Sequence, residues 1–194
     1  MPNLRYPWQQ LRAQMGKMSE RTNSYAMLLA LNEIPGGSWR FATQHSWRIG
    51  SAREIVYDET RRAHELGLFI AYRCFRQSSS REVNLQVLPY ASSTDARAMV
   101  PRVWSDLIRY KSSELTVKSE RSFEEEVLYL SDTCLVEQQT SGITTNIKVV
   151  IGRVDNIVST VACVALGEQW IWTDVKALAA LQGGKILRRL EPPD

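Results

Sequence analysis

Hydrophobic residues recur three and four positions apart near the start of the chain, which is the spacing of one face of a helix. The stripe in residues 6–18 consists of Trp8, Leu11, Met15 and Met18. This pattern predicts an amphipathic helix, and residues 1–22 are interpreted as an N-terminal helical extension of a domain that spans residues 1–194.

A second helix is predicted to begin at Ser24, a residue type that caps helix N-termini. Tyr25, Leu28 and Leu29 form its apolar stripe. Pro35 disfavours helical geometry at the preceding residue, so this helix is expected to end near Glu33. The sequence "PGG" at 35–37 then permits a turn with positive φ.

After residue 67 the pattern changes to a period of two, which is typical of strands. The segments "LFIAYRCFRQ" and "EVNLQVLPY" are rich in β-forming residues, and the polar turn "SSSR" separates them. Val83, Leu85 and Val87 point to one side of the second segment. The two segments predict an antiparallel hairpin.

Three or four strands are predicted in the second half of the chain. Their segments are "LTVKSE", "EEVLYLS", "CLVEQQT" and "TNIKVVIGRVDNIVSTVACVA". The last is divided into strands at 147–151 and 156–164, which a turn near Gly152 to Asp155 connects. Asp and Asn favour turns, so Asp155-Asn156 is expected to lie in this turn.

Helices are predicted between and after these strands. Residues 52–65 carry the charges of a solvated helix, which Gly67 would close. "SSTDARAMVPRVWSDLIRY" predicts a helix capped by Ser93 or Thr94, which Pro101 must kink or restart.

A last helix is predicted in "WTDVKALAALQGGKILRRL", with Thr173 as its cap. Gly183-Gly184 is expected to break or bend it. Runs of strands interleaved with separate helices predict an α+β fold, with a central, mostly antiparallel sheet flanked by helices. The repeated βαβ units that a doubly wound parallel sheet requires are absent from the pattern.

Composition narrows the classes of function. The chain is 44% hydrophobic and 23% charged, with a net charge of +3. Its basic residues are spread from Arg5 to Arg189 and interleaved with acids, which argues against nucleic-acid binding. No stretch approaches the roughly 18–20 apolar residues that span a membrane.

Residues 1–17 are polar and contain arginine, without the apolar core of a signal peptide. The compartment therefore stays open. The chain is cytoplasmic, or it is extracytoplasmic if a leader was removed.

Catalytic and metal-binding patterns are missing from the sequence. His45 lies between tryptophans without a nearby acid, and His64 lies in a charged segment that is interpreted as a solvated helix face. No zinc-ligand spacing or nucleophile motif occurs, so no enzyme activity and no cofactor are expected. Cys74, Cys134 and Cys163 leave two arrangements open: three buried thiols, or one disulfide, with Cys134 and Cys163 as the pair to test first.

Four tryptophans remain as candidate ligand-binding residues. Trp39, Trp47, Trp170 and Trp172 lie in or beside predicted loops, where aromatic side chains line pockets or interfaces. Packing against the core or its rim is the alternative interpretation.

Three short segments resemble an actinobacterial family of extracellular sensor domains, those of receptor-type serine/threonine kinases such as PknH, and related lipoproteins. The segments are "LLALNEIPGGSW", "LPYASSTDARAMVPRVWSDL" and "IGRVDNIVSTV". The resemblance implies an antiparallel sheet with helices beside it, akin to the PsbP/Mog1 type, and binding in a groove or cleft. Asp155 stands where the family pattern has glycine.

The first hypothesis is therefore a non-enzymatic, sensor-like or ligand-binding domain whose partner is a small ligand or another protein. The alternative is a cytoplasmic interaction or scaffold protein that dimerises through the N-terminal helix. A third hypothesis is a hydrolase or transferase, which perturbed acids around His64 in a pocket would support.

Overall fold

The predicted hairpin is present and belongs to a three-stranded meander. In the computed structural model, strands β1 (Arg40–Arg48), β2 (Phe69–Arg76) and β3 (Arg81–Pro89) pair in sequence order and antiparallel. The structure describes residues 24–50, 57–78, 80–109, 120–124, 127–138, 141–167 and 170–190. Val83, Leu85 and Val87 are fully buried on one side of β3, as the alternation predicts.

A second meander contains strands β4 (Glu120–Glu124), β5 (Val127–Gln138), β6 (Ser141–Val154) and β7 (Ile157–Leu166). Within the described residues the strands form one sheet in the order β1-β2-β3-β7-β6-β5-β4. Every pairing is antiparallel. The α+β class and the antiparallel sheet are therefore confirmed.

The two strands predicted in "EEVLYLS" and "CLVEQQT" are one strand. The backbone of β5 pairs with β6 without interruption through residues 131–133. Ser131, Asp132 and Thr133 are polar, but the strand continues through them because their backbones pair with β6. The turn between β6 and β7 lies at Asp155 and Asn156, where Asp155 adopts a φ of 50°. Residues 152–154, predicted as part of this connection, instead continue β6 and pair with residues 157–159.

Three helices of the described chain pack on the two sides of the sheet. They are α1 (Asp58–Glu65), α2 (Ser93–Arg109) and α3 (Trp172–Leu190). Helix α3 contacts β6 and β7 on the side that also carries Val83 and Leu85, which we call the α3 face. Helix α2 contacts the same strands on the opposite side, the α2 face, where α1 packs beside it.

Each face has its own apolar core. The α3 face buries Phe75, Val161, Leu178 and Ile186 against one another. The α2 face buries Ile151 and Val158 beneath Met99 and Val100 of α2. Two salt bridges join α1 to α2 above this core. Arg62 pairs with Asp95 at 2.5 Å, and Arg102 pairs with Glu59.

The helix predicted from Ser24 to Glu33 is wrong over most of its length. Residues 24–26 are helical, and a single 3-10 turn follows at Leu31–Glu33. The backbone between them is bound by side chains from other elements. Arg73 donates to the carbonyls of Leu28 (3.3 Å) and Leu29 (2.7 Å). These bonds replace the helical ones that the apolar spacing predicts.

The structure also corrects the predicted start of α2. Ser92, and not Ser93 or Thr94, caps α2, since its Oγ accepts the Asp95 N–H at 3.1 Å. Helix α2 continues without interruption through Pro101.

Helix α3 begins at Trp172, one residue before the predicted cap, and continues through Gly183 and Gly184. The predicted break there is wrong. Residues 1–22, with the stripe of Trp8 and Leu11, lie outside the described residues, as do residues 51–56 of the helix predicted at 52–65.

Candidate ligand groove

An open groove of about 370 Å³ lies between α3 and strands β6 and β7. Its helix wall consists of Lys176, Ala179, Ala180, Gly183, Gly184 and Leu187. Its sheet floor consists of Val150, Gly152, Arg153, Val154, Ser159 and Val161. The volume lies within the range of small-molecule sites, and most of the lining is aliphatic.

Small residues create this groove. Positions 176, 179, 180, 183, 184 and 187 recur at three and four residues, so they form one row along α3. Four of them are alanine or glycine. A Cβ on Gly183 would lie 3.8 Å from the Val154 side chain, which is ordinary contact distance. The helix therefore sits beside the sheet without filling the space above β6.

The floor contains one hydroxyl that stands out chemically. Ser159 is only 7% exposed, and its Oγ has no hydrogen-bond partner among the described residues. Ser159 pairs with Gly152 in the β6–β7 register, so no side chain from β6 lies directly beside it. A buried hydroxyl without a partner costs about 1–3 kcal/mol, which a ligand atom that accepts its hydrogen bond would recover.

Two of the predicted tryptophans are brought together elsewhere. Trp39 and Trp170 stack with ring centroids 6.0 Å apart and an angle of 14° between the planes. The guanidinium carbon of Arg81 lies 3.9 Å from the Trp170 ring centroid. Trp170 is 4% exposed, and its indole N–H donates to the Val164 carbonyl at 3.1 Å. Its hydrogen-bonding group is therefore already used by the fold.

The loop that carries Trp39 is held by local contacts. The Trp39 indole N–H donates to the Pro35 carbonyl at 2.9 Å. Gln77 donates to the carbonyls of Gly36 (3.2 Å) and Gly37 (2.9 Å). The "PGG" segment is therefore a turn that places Trp39 on Trp170.

The other two tryptophans lie apart from this stack. Trp172 begins α3, and the Lys148 ammonium lies 5.4 Å from its ring centroid. Trp47 pairs with Ile70 across β1 and β2, and the partly buried Ile70 packs against the core of the α2 face. None of the four is among the described residues that line the groove.

The predicted disulfide is not formed in this arrangement. Cys163 is a free thiol with no exposed surface. Cys134, which is described by its backbone alone, pairs with Thr145, and Thr145 pairs with Leu166, so strand β6 separates the two cysteines. One intervening strand and an offset of three residues put their Cα atoms well beyond the ~7 Å limit of a disulfide.

Burial dominates the chemistry of the two described thiols. It raises the pKa of Cys163 to about 12. Burial also raises the pKa of Cys74, and the nearby Glu82 carboxylate adds to that shift. Both thiols are therefore held in the protonated, unreactive form at neutral pH.

The histidines and acids do not converge. His64 Nδ1 lies 2.7 Å from the Ile49 carbonyl oxygen, and His45 Nε2 lies 2.8 Å from the Thr43 hydroxyl. Neither is in the groove. Within the described parts of the chain, no three His, Cys, Asp or Glu side chains lie close enough to hold a metal ion.

The groove residues were missed by sequence reasoning. The sequence predicts a break at Gly183 and Gly184, because glycine lowers helix propensity. The usable signal was the row of alanine and glycine at helical spacing, which predicts a helix face with room beside it. Ser159 gave no signal, because serine within an apolar strand does not reveal its hydrogen-bond partner.

Comparison with solved structures shows a likeness in fold. No protein-family model matches the sequence, and no curated protein matches it significantly. The structure is similar to the extracellular domain of PknH from Mycobacterium tuberculosis, with a TM-score of 0.59 and 13% sequence identity. The match covers 88% of this chain and 97% of that one.

The chain therefore has a fold like that of the PknH extracellular domain, as the three sequence segments imply. The likeness to the PsbP/Mog1 type stays a prediction. Among the described residues, no helix is both long and apolar enough to cross a membrane.

Proposed function

We propose that the chain is a sensor-like domain that binds a small ligand in the groove between α3 and the β6–β7 hairpin. The observation that carries this proposal is the unpartnered Ser159 hydroxyl on an otherwise aliphatic floor. An apolar site with one placed polar group is the usual composition of a small-molecule site. The likeness to a domain described as extracellular supports an extracytoplasmic location as part of the same proposal.

We propose binding without chemical conversion. The residues that line the groove include no His, Asp or Glu that could act as a general base to activate the Ser159 hydroxyl. The only ionisable groups among them are those of Lys176 and Arg153. Arg153 lies between Gly152 and Val154, so its Cβ points to the opposite side of the strand.

The tryptophans have a supporting role in this proposal. Trp39 and Trp170 lie on the α3 face, where they pack on the same core as α3. They stabilise the position of α3 without touching the ligand. The alternative of dimerisation through the N-terminal helix rests on residues outside the described chain and stays a prediction.

The test is a methyl-NMR titration with small probes. Protein labelled at valine methyl groups is titrated with 1-octanol, cyclohexanol and octanoate in turn. We expect at least one probe to shift the signals of Val150, Val154 and Val161 saturably. The signals of Val100 and Val158 on the α2 face should not move.

A matched pair of variants localises the binding. Ala180 lines the groove and Ala177 does not, although both are exposed on α3. Ala180→Leu should abolish the shifts, whereas Ala177→Leu should leave them unchanged. If no probe shifts the groove valines at millimolar concentration, or if Ala180→Leu binds like Ala177→Leu, the proposed function is wrong.

A further inference from the structure

Helix α3 carries two apolar faces, and only one of them is buried. The buried face packs on the sheet through Val175, Leu178 and Ile186. The second face, which we call the outer surface of α3, consists at helical spacing of Ala177, Ala180, Leu181, Gly184 and Leu187. Leu181 is 45% exposed and Leu187 is 51% exposed. An apolar stripe of about 120° is typical of a helix face that packs on another element.

The outer surface of α3 has small residues along its middle. Ala177, Ala180 and Gly184 leave room there, and Leu181 and Leu187 stand beside them. The distance at which two helices pack depends on the side chains at their contact. A partner helix with large apolar side chains therefore fits this surface.

The sequence contains one stripe of that kind outside the described residues. Trp8, Leu11, Met15 and Met18 fall within about 80° of one side of a helix. Trp8 and Met18 are ten residues apart, as are the two ends of the outer surface of α3, so both stripes are roughly 15 Å long. Helices of this length are stabilised by packing of their apolar face rather than by propensity.

The described chain begins at the sheet end that holds the β6–β7 turn. Ser24 Oγ donates to the Phe69 carbonyl at 2.9 Å. The strand registers put Phe69 in one row with Pro89, Ile157 and Val154 across the sheet. The segment that precedes Ser24 therefore starts from the level of Val154.

The C-terminal half of α3 lies at the same level. A Cβ on Gly183 would lie 3.8 Å from the Val154 side chain. The step from β2 to β6 crosses three strand spacings, which is roughly 14 Å. Six residues lead from Met18 to Ser24 and extend up to roughly 20 Å. Met18 is therefore within reach of Leu187.

We infer that residues 6–18 form a helix that docks on the outer surface of α3 in the same chain. The link to Ser24 holds Met18 near Leu187, so Trp8 lies toward Ala177 and the docked helix runs parallel to α3. Three of the five residues of this surface also line the ligand groove, so the docked helix lies over the groove's rim. This contact within the chain goes beyond ligand binding and does not depend on it.

Tryptic cleavage of the full chain tests the docking. Arg12 and Lys17 lie within the docked helix, and cleavage after them requires the segment to detach. The cleavage rate follows the population of the detached form. Leu181→Asp removes the burial of a leucine and places a charge in the contact, so cleavage at both sites should be at least about tenfold faster.

Ile171→Asp is the matched control. Ile171 is also an exposed aliphatic residue, at 61%, but it precedes α3 and lies outside the outer surface. This variant should be cleaved at the wild-type rate. A wild-type rate in Leu181→Asp, or equal acceleration in both variants, would overturn the inference. Circular dichroism of each variant shows that faster cleavage is not a loss of fold.

Methyl NMR then identifies the contact directly. In protein labelled at methionine and leucine methyl groups, Met15 and Met18 should give cross peaks to Leu181 and Leu187. Met99, in the core of the α2 face, should give none to these leucines. Absence of the Met15 and Met18 cross peaks would contradict the docking.

A mixed sample distinguishes this chain from a second copy. Methionine-labelled protein is combined with leucine-labelled protein, so any cross peak between the two residue types arises between copies. We expect no such cross peak. If the cross peaks persist in the mixed sample, the occupant is the segment of a second copy and the inference is wrong.

The docking and the ligand proposal fail separately. If no probe shifts the groove valines while the methionine–leucine cross peaks are present, the binding function fails and the docking stands. If a probe shifts those valines and the cross peaks are absent, the docking fails and the binding function stands.

Discussion

Replacement of Gln182 by leucine should destabilise the fold more than any exposed change on α3. Gln182 has no exposed surface, and its side chain makes two hydrogen bonds to the backbone of the segment before the 3-10 turn. Its Oε1 accepts the Leu29 N–H at 3.0 Å, and its Nε2 donates to the Met27 carbonyl at 2.8 Å. Leucine has a similar volume and supplies neither bond.

The magnitude follows from what is left unpaired. The buried N–H of Leu29 and the buried carbonyl of Met27 would each lose a partner that water cannot replace. Each such loss costs about 1–3 kcal/mol, so the substitution should lower the free energy of unfolding by about 2–6 kcal/mol. In a chain of this length, each kcal/mol lowers Tm by about 2–4 °C.

Gln77 offers a matched control. Its Nε2 also donates to the backbone, at the carbonyls of Gly36 and Gly37, but these bonds are exposed. Water can replace it there, so Gln77→Leu should cost less than about 1 kcal/mol. Equilibrium urea unfolding, followed by circular dichroism, measures both variants. Equal losses in the two variants, or a loss below about 1 kcal/mol in Gln182→Leu, would refute the reasoning.

Three further predictions concern separate features. Gly184→Ala should raise the free energy of unfolding by about 0.5–1 kcal/mol, because alanine favours the helix and its Cβ meets nothing closer than 3.5 Å; a loss of stability in urea unfolding would contradict this. Cys163 and Cys74 are buried thiols, so they should resist alkylation by iodoacetamide at pH 8 in the folded protein and react in urea. Mass spectrometry of the cysteine peptides measures this alkylation. Rapid labelling of either cysteine in the folded protein would contradict the prediction. Burial alone would raise the pKa of Glu33, but hydrogen bonds from Lys185 and from the backbone lower this pKa overall. The ion pair should therefore stabilise the fold above about pH 4.5, the ordinary pKa of the carboxyl, and its contribution should be lost as the pH falls through the lowered pKa. Glu33→Gln should lower Tm at pH 7 and leave Tm unchanged at acid pH.

Hydrophobic periodicity was sufficient to predict most of the sheet. Val83, Leu85 and Val87 alternate because one side of β3 is buried, and that constraint is local enough to read from the sequence. The α+β class followed from the same pattern. The apolar spacing at residues 25–29 failed as a helix signal, because two side chains distant in sequence, Gln182 and Arg73, bind the backbone there.

The candidate groove could not be predicted in the same way. The residue type of Trp39 and Trp170 predicts a ligand contact, but the fold stacks the two rings on each other. The groove results from what α3 lacks, namely side chains at Gly183 and Gly184. An empty space depends on the distance between two elements, and a single sequence carries no direct information on that distance.

The central strand pairing has a consequence for how the chain is made. Strand β3 ends at Pro89, and its partner β7 begins at Ile157, so the junction of the two meanders joins segments far apart in the chain. During synthesis the edge of β3 has no partner strand until β7 has left the ribosome, and α3 follows later still. Contacts between distant segments form slowly, and open edges template aggregation. Residues 157–190, in the last fifth of the chain, therefore set the time for which this edge of the first meander stays open during synthesis.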